Sequence, residues 1–345
     1  MYEDPIAAHA ICGLLTNRWS APSLETLNSL PIAGQTVVII GASGGLGLEA
    51  ARHYVRLGAS RVILGVRSQS KGEAAKRNIT SSFEPEQTKT CTIDVWDIDL
   101  ASFESVKAFA DRAARELSSI DIALLNAAVG KARFGLTQDG WEETLQVNAL
   151  ATTLLALLLL PKMRQSSRPD WKPRLSIVAS RGHQRVADGE PWLDAPNSLE
   201  ALNKEENFGA LADRYCVSKL IVIYAAREIA KLALSPEGEP DVVVNYSCPG
   251  ACESDLARES TSAGQRIGLA LIQATICKTT EEGSRTLVFA SGLGPESHGL
   301  WYHKNKLAEP GVLVTNEKGT RLQAKIWKEM MQILTPHGVE VNSTH

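Results

Sequence analysis

The sequence carries little net charge for its length: 36 lysines and arginines against 39 aspartates and glutamates over 345 residues leave a formal −3. Its basic residues are scattered, so neither nucleic acid nor an anionic membrane is an expected partner. Cysteine is sparse. The six, at 12, 91, 216, 248, 252 and 277, form neither a disulfide framework nor a metal-ligand spacing. Cys248 and Cys252 flank a Pro-Gly turn and read as small residues; the pattern suits a reducing, cytoplasmic setting with no metal. Long apolar runs are also missing. Leu154 to Leu160 stops at Pro161, short of the roughly 20 residues a membrane span needs, so it reads as a buried helix end and no transmembrane segment is expected. Glu3 and Asp4 precede the apolar stretch Ile6 to Leu15 where a leader would be basic, so no cleavable signal is expected either.

What is present is an ordinary globular balance, 44% hydrophobic and 22% charged, in a chain long enough to bury a full core. Residues 1–33 read as an N-terminal extension, helix-like to about Leu15 and then punctuated by Pro22 and Pro31. From Thr36 onward, short apolar runs alternate with helical periods. Strands are expected at Thr36 to Ile40, Arg61 to Val66, Thr90 to Val95, Ile120 to Leu125, Arg174 to Ala179 and Val242 to Tyr246. Helices are expected near 45–57, 71–80, 102–117, 139–163 and 213–232, followed by a helix at Glu281 to Ala290, a strand at Gly299 to His303 and a helix at Lys318 to Leu334. Alternation of this kind implies a doubly wound, mostly parallel α/β sheet covered on both faces, with ligands at the carboxyl ends of its strands. No composition shift divides residues 34–345, which read as one domain. Two irregular stretches interrupt it. Arg181 to Asp213 reads as a lid or binding insertion, and 251–280 as a second substrate-side segment.

The first turn is glycine-rich: Gly41, Ser43, Gly44, Gly45, Leu46 and Gly47 lie between the first strand and the helix after it. Glycine there lets the backbone turn sharply and approach a pyrophosphate, whose charge then sits at a helix N-terminus. About 20 residues on, where an acid would take a ribose 2′-hydroxyl and an arginine a 2′-phosphate, stands Arg67, with no acid before Glu73. NADP(H) is therefore favoured over NAD.

Tyr215 and Lys219 are spaced to share one helix face about a turn apart. A cation beside a phenol favours the phenolate, which would ready the tyrosine for proton transfer with a substrate oxygen near neutral pH. With the glycine turn, Asp99 and Leu100, Asn126 with Ala127 and Ala128, Asn148, Ser180, and Pro249 with Gly250, the pair completes an ordered series spanning about 36 to 305. The chain thereby resembles the short-chain dehydrogenase/reductase family. Arg67, the stretch Asp99 to Phe103, the long insertion before the tyrosine, and Asp213 with Arg214 resemble its retinol-dehydrogenase-like branch, and the fungal members, many in secondary metabolism, look nearest.

The resemblance implies a Rossmann-type three-layer α/β/α fold and a role for each matching residue. Tyr215 would exchange the carbinol proton, Lys219 would hold the nicotinamide ribose and lower the phenol pKa, and Ser180 would hydrogen-bond the substrate oxygen and Tyr215. Asn148 would place a water on a proton path from Lys219. Asp99 would meet the adenine, Asn126 would brace the sheet, and Ser254 stands in for a family threonine near the carboxamide. Ile40 and Ala128 replace the family's usual threonine and glycine. His183 lies near Ser180, yet no Gly-x-Ser-x-Gly elbow surrounds the serine, which argues against a hydrolase. Trp141 and Trp192 are candidates for a substrate pocket or for core. The expected function is NADP(H)-dependent interconversion of a carbonyl and an alcohol on a lipophilic or polycyclic metabolite, with monomer and homodimer both open. The competing function is a cofactor-binding protein of this fold that catalyses a non-redox step, such as cyclisation or isomerisation, or senses the cofactor.

Overall fold

Runs of four to six residues dominated by Val, Ile and Leu make buried parallel strands, because only a strand covered on both faces can be apolar at every position. In the computed structural model, which describes residues 20–253 and 277–339, eight strands form one sheet in the order β3-β2-β1-β4-β5-β6-β7-β8. They are β1 Thr36–Ile40, β2 Arg61–Val66, β3 Thr92–Asp97, β4 Ile122–Leu125, β5 Arg174–Val178, β6 Val243–Cys248, β7 Trp301–His303 and β8 Lys306–Ala308. All neighbours pair in parallel except β7 and β8. Strand order reverses between β1 and β4, which opens a crevice at their carboxyl ends.

Helices cover both faces. On one side lie α1 (Leu24–Asn28), α2 (Gly45–Arg56), α3 (Gln69–Thr80) and α9 (Thr280–Gly292); α4 (Pro85–Lys89) is a single turn before β3. On the other lie α5 (Phe103–Glu116), α6 (Glu143–Gln165), α8 (Leu211–Leu232) and α11 (Glu317–Leu334), with α7 (Ser198–Leu202) and α10 (Val312–Thr315) as short connectors. The described part of the N-terminal extension is fixed to this body by Leu27 and Ile32, both fully buried, and by Leu30 against Gly292; residues 1–19 lie outside the described residues. One described helix, α6, is long and apolar enough to cross a membrane, but 89% of its apolar window is buried within the fold, so it is a core helix.

Several boundaries differ from the sequence expectation. β3 runs two residues later than Thr90 to Val95, since Thr-Cys-Thr-Ile-Asp-Val-Trp-Asp mixes polar and apolar residues without a clean frame and the pairing of Arg61 with Thr92 sets the register. α6 begins at Glu143, where the Glu142 carboxylate accepts the Thr144 and Leu145 N–H groups at 2.8 and 2.9 Å. Its early turn, Gln146–Leu150, is π-helical. β8 and the short helices α4, α7 and α10 carry too few residues for a periodicity to show.

The insertion between β5 and α8 is anchored along its length. Trp192, Leu193, Leu199, Leu202 and Phe208 are buried, and Glu329 of α11 accepts the Ser198 and Leu199 N–H groups at 3.0 and 2.8 Å. With α11 and the insertion in place, α6 from Thr144 to Leu157 and α8 from Cys216 to Ala226 are buried on every side. Replacing Glu329 with Ala leaves two buried N–H groups without their carboxylate; hydrogen bonds to charged groups of this kind are worth about 2 kcal/mol or more in total. A lower urea midpoint for Glu329→Ala, with Glu329→Gln between it and wild type, is the expected outcome; equal midpoints would show that the insertion does not depend on this contact.

Candidate active site

Across the carboxyl ends of the strands lies a cavity of about 610 Å³. One end is built by the glycine turn. Gly41 has φ +83°, and a side chain there would meet Ala127 Cα at 2.9 Å; a Cβ on Gly47 would lie 2.2 Å from the Gly41 carbonyl oxygen. The turn and the start of α2 can close together only as glycines. Asn126 Nδ2 donates to the Gly41 carbonyl at 3.1 Å and ties the turn to the end of β4. α2 starts after Gly44 with no side-chain cap and no acid in its first turn. Its open N–H groups and positive dipole end suit a phosphate, so the residues present fit a dinucleotide.

Most residues singled out from the sequence line this cavity. Gly41, Ser43, Gly44, Gly45 and Leu46 form one wall, and Arg67, Asp99 and Leu100 form the end beyond β2. Asn126, Ala127 and Ala128 follow β4, Pro249 and Gly250 follow β6, and Ser180, Tyr215 and Lys219 close the far end. Gly47 and Asn148 stand behind the wall rather than in it. Ser254 lies outside the described residues.

At the far end, Ser180 lies two residues beyond β5 in extended conformation; its Oγ accepts the Gly182 N–H at 3.0 Å and is hydrogen-bonded to the Tyr215 hydroxyl. Lys219, one turn beyond Tyr215 on α8, donates from Nζ to the Val178 carbonyl at 2.7 Å and lies 5.7 Å from the tyrosine ring centroid. Lys219 is 2% exposed, and burial lowers its pKa to about 8. Tyr215 is half-buried and lines the cavity. Burial raises the phenol pKa, the Ser180 hydrogen bond opposing this only in part. The sequence expectation was a phenol made more acidic by Lys219; burial instead raises its pKa, so Tyr215 stays protonated through neutral pH.

Asn148, in the π turn of α6, receives the Val129 N–H on Oδ1 and donates from Nδ2 to the Val129 carbonyl and to Ser218 Oγ, at 2.8, 2.8 and 3.0 Å. It clamps the chain after β4 to α8. Its described contacts do not include Lys219.

Known proteins share the sequence and the fold of this chain. A family model described as short chain dehydrogenase matches residues 35–169. The short-chain dehydrogenase/reductase ffsI of Aspergillus flavipes is 37% identical over 94% of this chain and 92% of its own length. The chain belongs to the short-chain dehydrogenase/reductase family. Like this relative, the short-chain dehydrogenase/reductase phmF of Phaeosphaeria nodorum is 37% identical, over 90% of this chain and 89% of its own. Solved structures share the fold: a protein of Mycobacterium paratuberculosis covers 90% of this chain and 97% of its own with TM-score 0.64 at 24% identity. L-sorbose reductase of Gluconobacter frateurii, solved with NADPH and L-sorbose, covers 83% and 98% with TM-score 0.58 at 19% identity.

For a member of this oxidoreductase family, the cavity also holds residues that sequence reasoning passed over. Lys131, paired with Glu143 at 3.2 Å, lines it, as do Cys248, Cys252 and Glu253. Their signal was proximity: Cys248 directly precedes Pro249, and Lys131 follows Ala128 by three. Neither Trp141 nor Trp192 lines the cavity; Trp192 instead borders a smaller one of about 310 Å³ with Phe208 and Arg214. Substituting Gly47 with Ala drives a methyl into the Gly41 carbonyl, so a loss of affinity for a reduced nicotinamide dinucleotide of about tenfold or more is expected by fluorescence titration. Unchanged affinity in Gly47→Ala would mean that this turn does not shape the nucleotide site.

Proposed function

We propose that the protein is an NADPH-dependent reductase that converts a ketone or aldehyde of a lipophilic or polycyclic secondary metabolite to the alcohol. The observation that carries this reading is the joining, by one cavity, of the uncapped glycine-rich start of α2 to the hydrogen-bonded Ser180 and Tyr215 with Lys219 buried beside them. NADPH when bound supplies the hydride. Arg67, exposed at the carboxyl end of β2 on the cavity, would hold its 2′-phosphate, as the absence of an acid there supports. The NADPH complex of the sorbose reductase and the NADP complex of a Shigella flexneri short chain dehydrogenase support the same cofactor. The open N–H groups of α2 would take the pyrophosphate, and Asp99 the adenine side.

Ser180 orients the substrate carbonyl oxygen, its own Oγ already held as an acceptor by Gly182. Tyr215 donates its proton to that oxygen as negative charge grows there, and its raised pKa keeps the proton available. Lys219 would hold the ribose and carries its charge below about pH 8. Its lowered pKa fixes the sign of one pH effect: the ammonium is present below about 8 and lost above it. The segments 181–213 and 251–280 are read as the substrate side from the sequence; no residue of the first lines the cavity, and most of the second lies outside the described residues.

Three outcomes test this. Tyr215→Phe should lower NADPH-dependent ketone reduction at least about 100-fold while NADPH still binds; product formed without NADPH oxidation would instead favour the non-redox reading. Arg67→Ala should raise the KM for NADPH about tenfold with little change for NADH, and a retained NADPH preference would remove Arg67 from the site. NADPH affinity of wild type should be flat below pH 8 and weaken above it, and the break should vanish in Lys219→Met.

A further inference from the structure

His183 follows Ser180 by three residues, is 1% exposed, and has no part in the chemistry above. Its ring does not address the serine hydroxyl. His183 Nδ1 lies 2.6 Å from the Ser180 carbonyl oxygen, which also receives the His183 backbone N–H at 3.2 Å. On the other side of the ring, the Gly311 N–H donates to Nε2 at 2.8 Å. A backbone N–H can only donate, so Nε2 is the acceptor and Nδ1 carries the hydrogen. The imidazole is therefore neutral and held in one tautomer; burial lowers its pKa in the same sense.

The ring is clamped as well as bonded. Trp301 of β7 meets it edge-on with centroids 5.0 Å apart. Gly311 approaches so closely that a Cβ there would lie 3.2 Å from His183 Cδ2. The turn after β5 is thus tied to the entry of α10, 128 residues later in the chain. A further pin holds the same turn, the Arg181 N–H on Cys248 Sγ at 3.2 Å.

We propose that His183 is a positioning residue for reduction: it fixes the Ser180 main chain against the C-terminal segment, so that Ser180 Oγ meets Tyr215 and the substrate oxygen in one orientation. This rests on the reading of Ser180 and Tyr215 given above. The serine's rotamer is defined by the Gly182 N–H on Oγ, and Gly182 stays in place only if the turn from Ser180 to His183 stays closed. Releasing the imidazole frees the carbonyl from Nδ1 and lets the turn open, which shifts the hydroxyl rather than the nucleotide site at the other end of the cavity.

The test is steady-state kinetics with NADPH and a panel of cyclic and aromatic ketones, using the one that wild type reduces fastest. His183→Phe should lower kcat about 10- to 100-fold with NADPH Kd changed less than about twofold. His183→Asn, whose Nδ2 can take the place of Nδ1 toward the Ser180 carbonyl, should recover most of that loss. Gly311→Ala, whose methyl would press on the imidazole and on the neighbouring Gln184, should lower kcat several-fold and serves if the first variant does not fold. Wild-type kcat in His183→Phe or Gly311→Ala, or no recovery in His183→Asn, overturns the proposal. If Tyr215→Phe keeps full turnover, or wild type reduces nothing on the panel, the reading of the site fails and takes this role with it.

Discussion

The buried ammonium of Lys219 is the constraint on which the rest of the site depends. Placing a cation where it is 2% exposed opposes folding, and the protein answers with a carbonyl from the end of β5 and a helix enclosed all round. Its pKa of about 8 records that cost. The Val178 carbonyl is available only because β5 ends there, one residue before the extended pair that leads to the Ser180 turn. Lysine, serine and tyrosine are therefore placed by the same strand end. α8 must lie close against β5 for the ammonium to reach, and α11 and the insertion seal its outer side.

The other end of the cavity follows a different rule. There the backbone itself is the binding surface, and side chains are excluded by sterics: Gly41 against Ala127, Gly47 against the Gly41 carbonyl. An uncapped helix start can wait for an anion because its N–H groups remain open to the cavity. One cavity thus joins a backbone-built half that suits a phosphate to a side-chain-built half that carries Ser180, Tyr215 and Lys219. The reversal of strand order between β1 and β4 brings the two halves to the same edge of the sheet.

How much of this could be read in advance varied by element. β1 and β2 are legible to the residue because their runs are continuously apolar and bounded by turns. β3 is not, because its frame is decided by β2. The glycine turn and the spacing of Tyr215 and Lys219 are local patterns and stand out in the chain. The balance between burial and charge at Tyr215 is not local; it depends on how much protein surrounds the hydroxyl, and it reverses the shift expected from the lysine alone. The tryptophans were ambiguous for the same reason, since an aromatic residue in a long insertion can face a cavity or a core. His183 beside Ser180 suggests a hydrolase in the sequence, whereas in the fold its two ring nitrogens bridge Ser180 and Gly311.

By itself, the sequence determined the alternating α/β plan, the glycine turn and the ordered series of residues from Gly41 to Gly250, because each rests on neighbours within a few positions or on a fixed order along the chain. Only the tertiary structure decided the register of β3, the anchoring of the insertion by Glu329, the engagement of Asn148 by Val129 and Ser218, and the protonation of Tyr215 and Lys219. Those depend on contacts between segments far apart in sequence and on the water that folding removes, and neither distance in space nor loss of solvent is written in the spacing of residues.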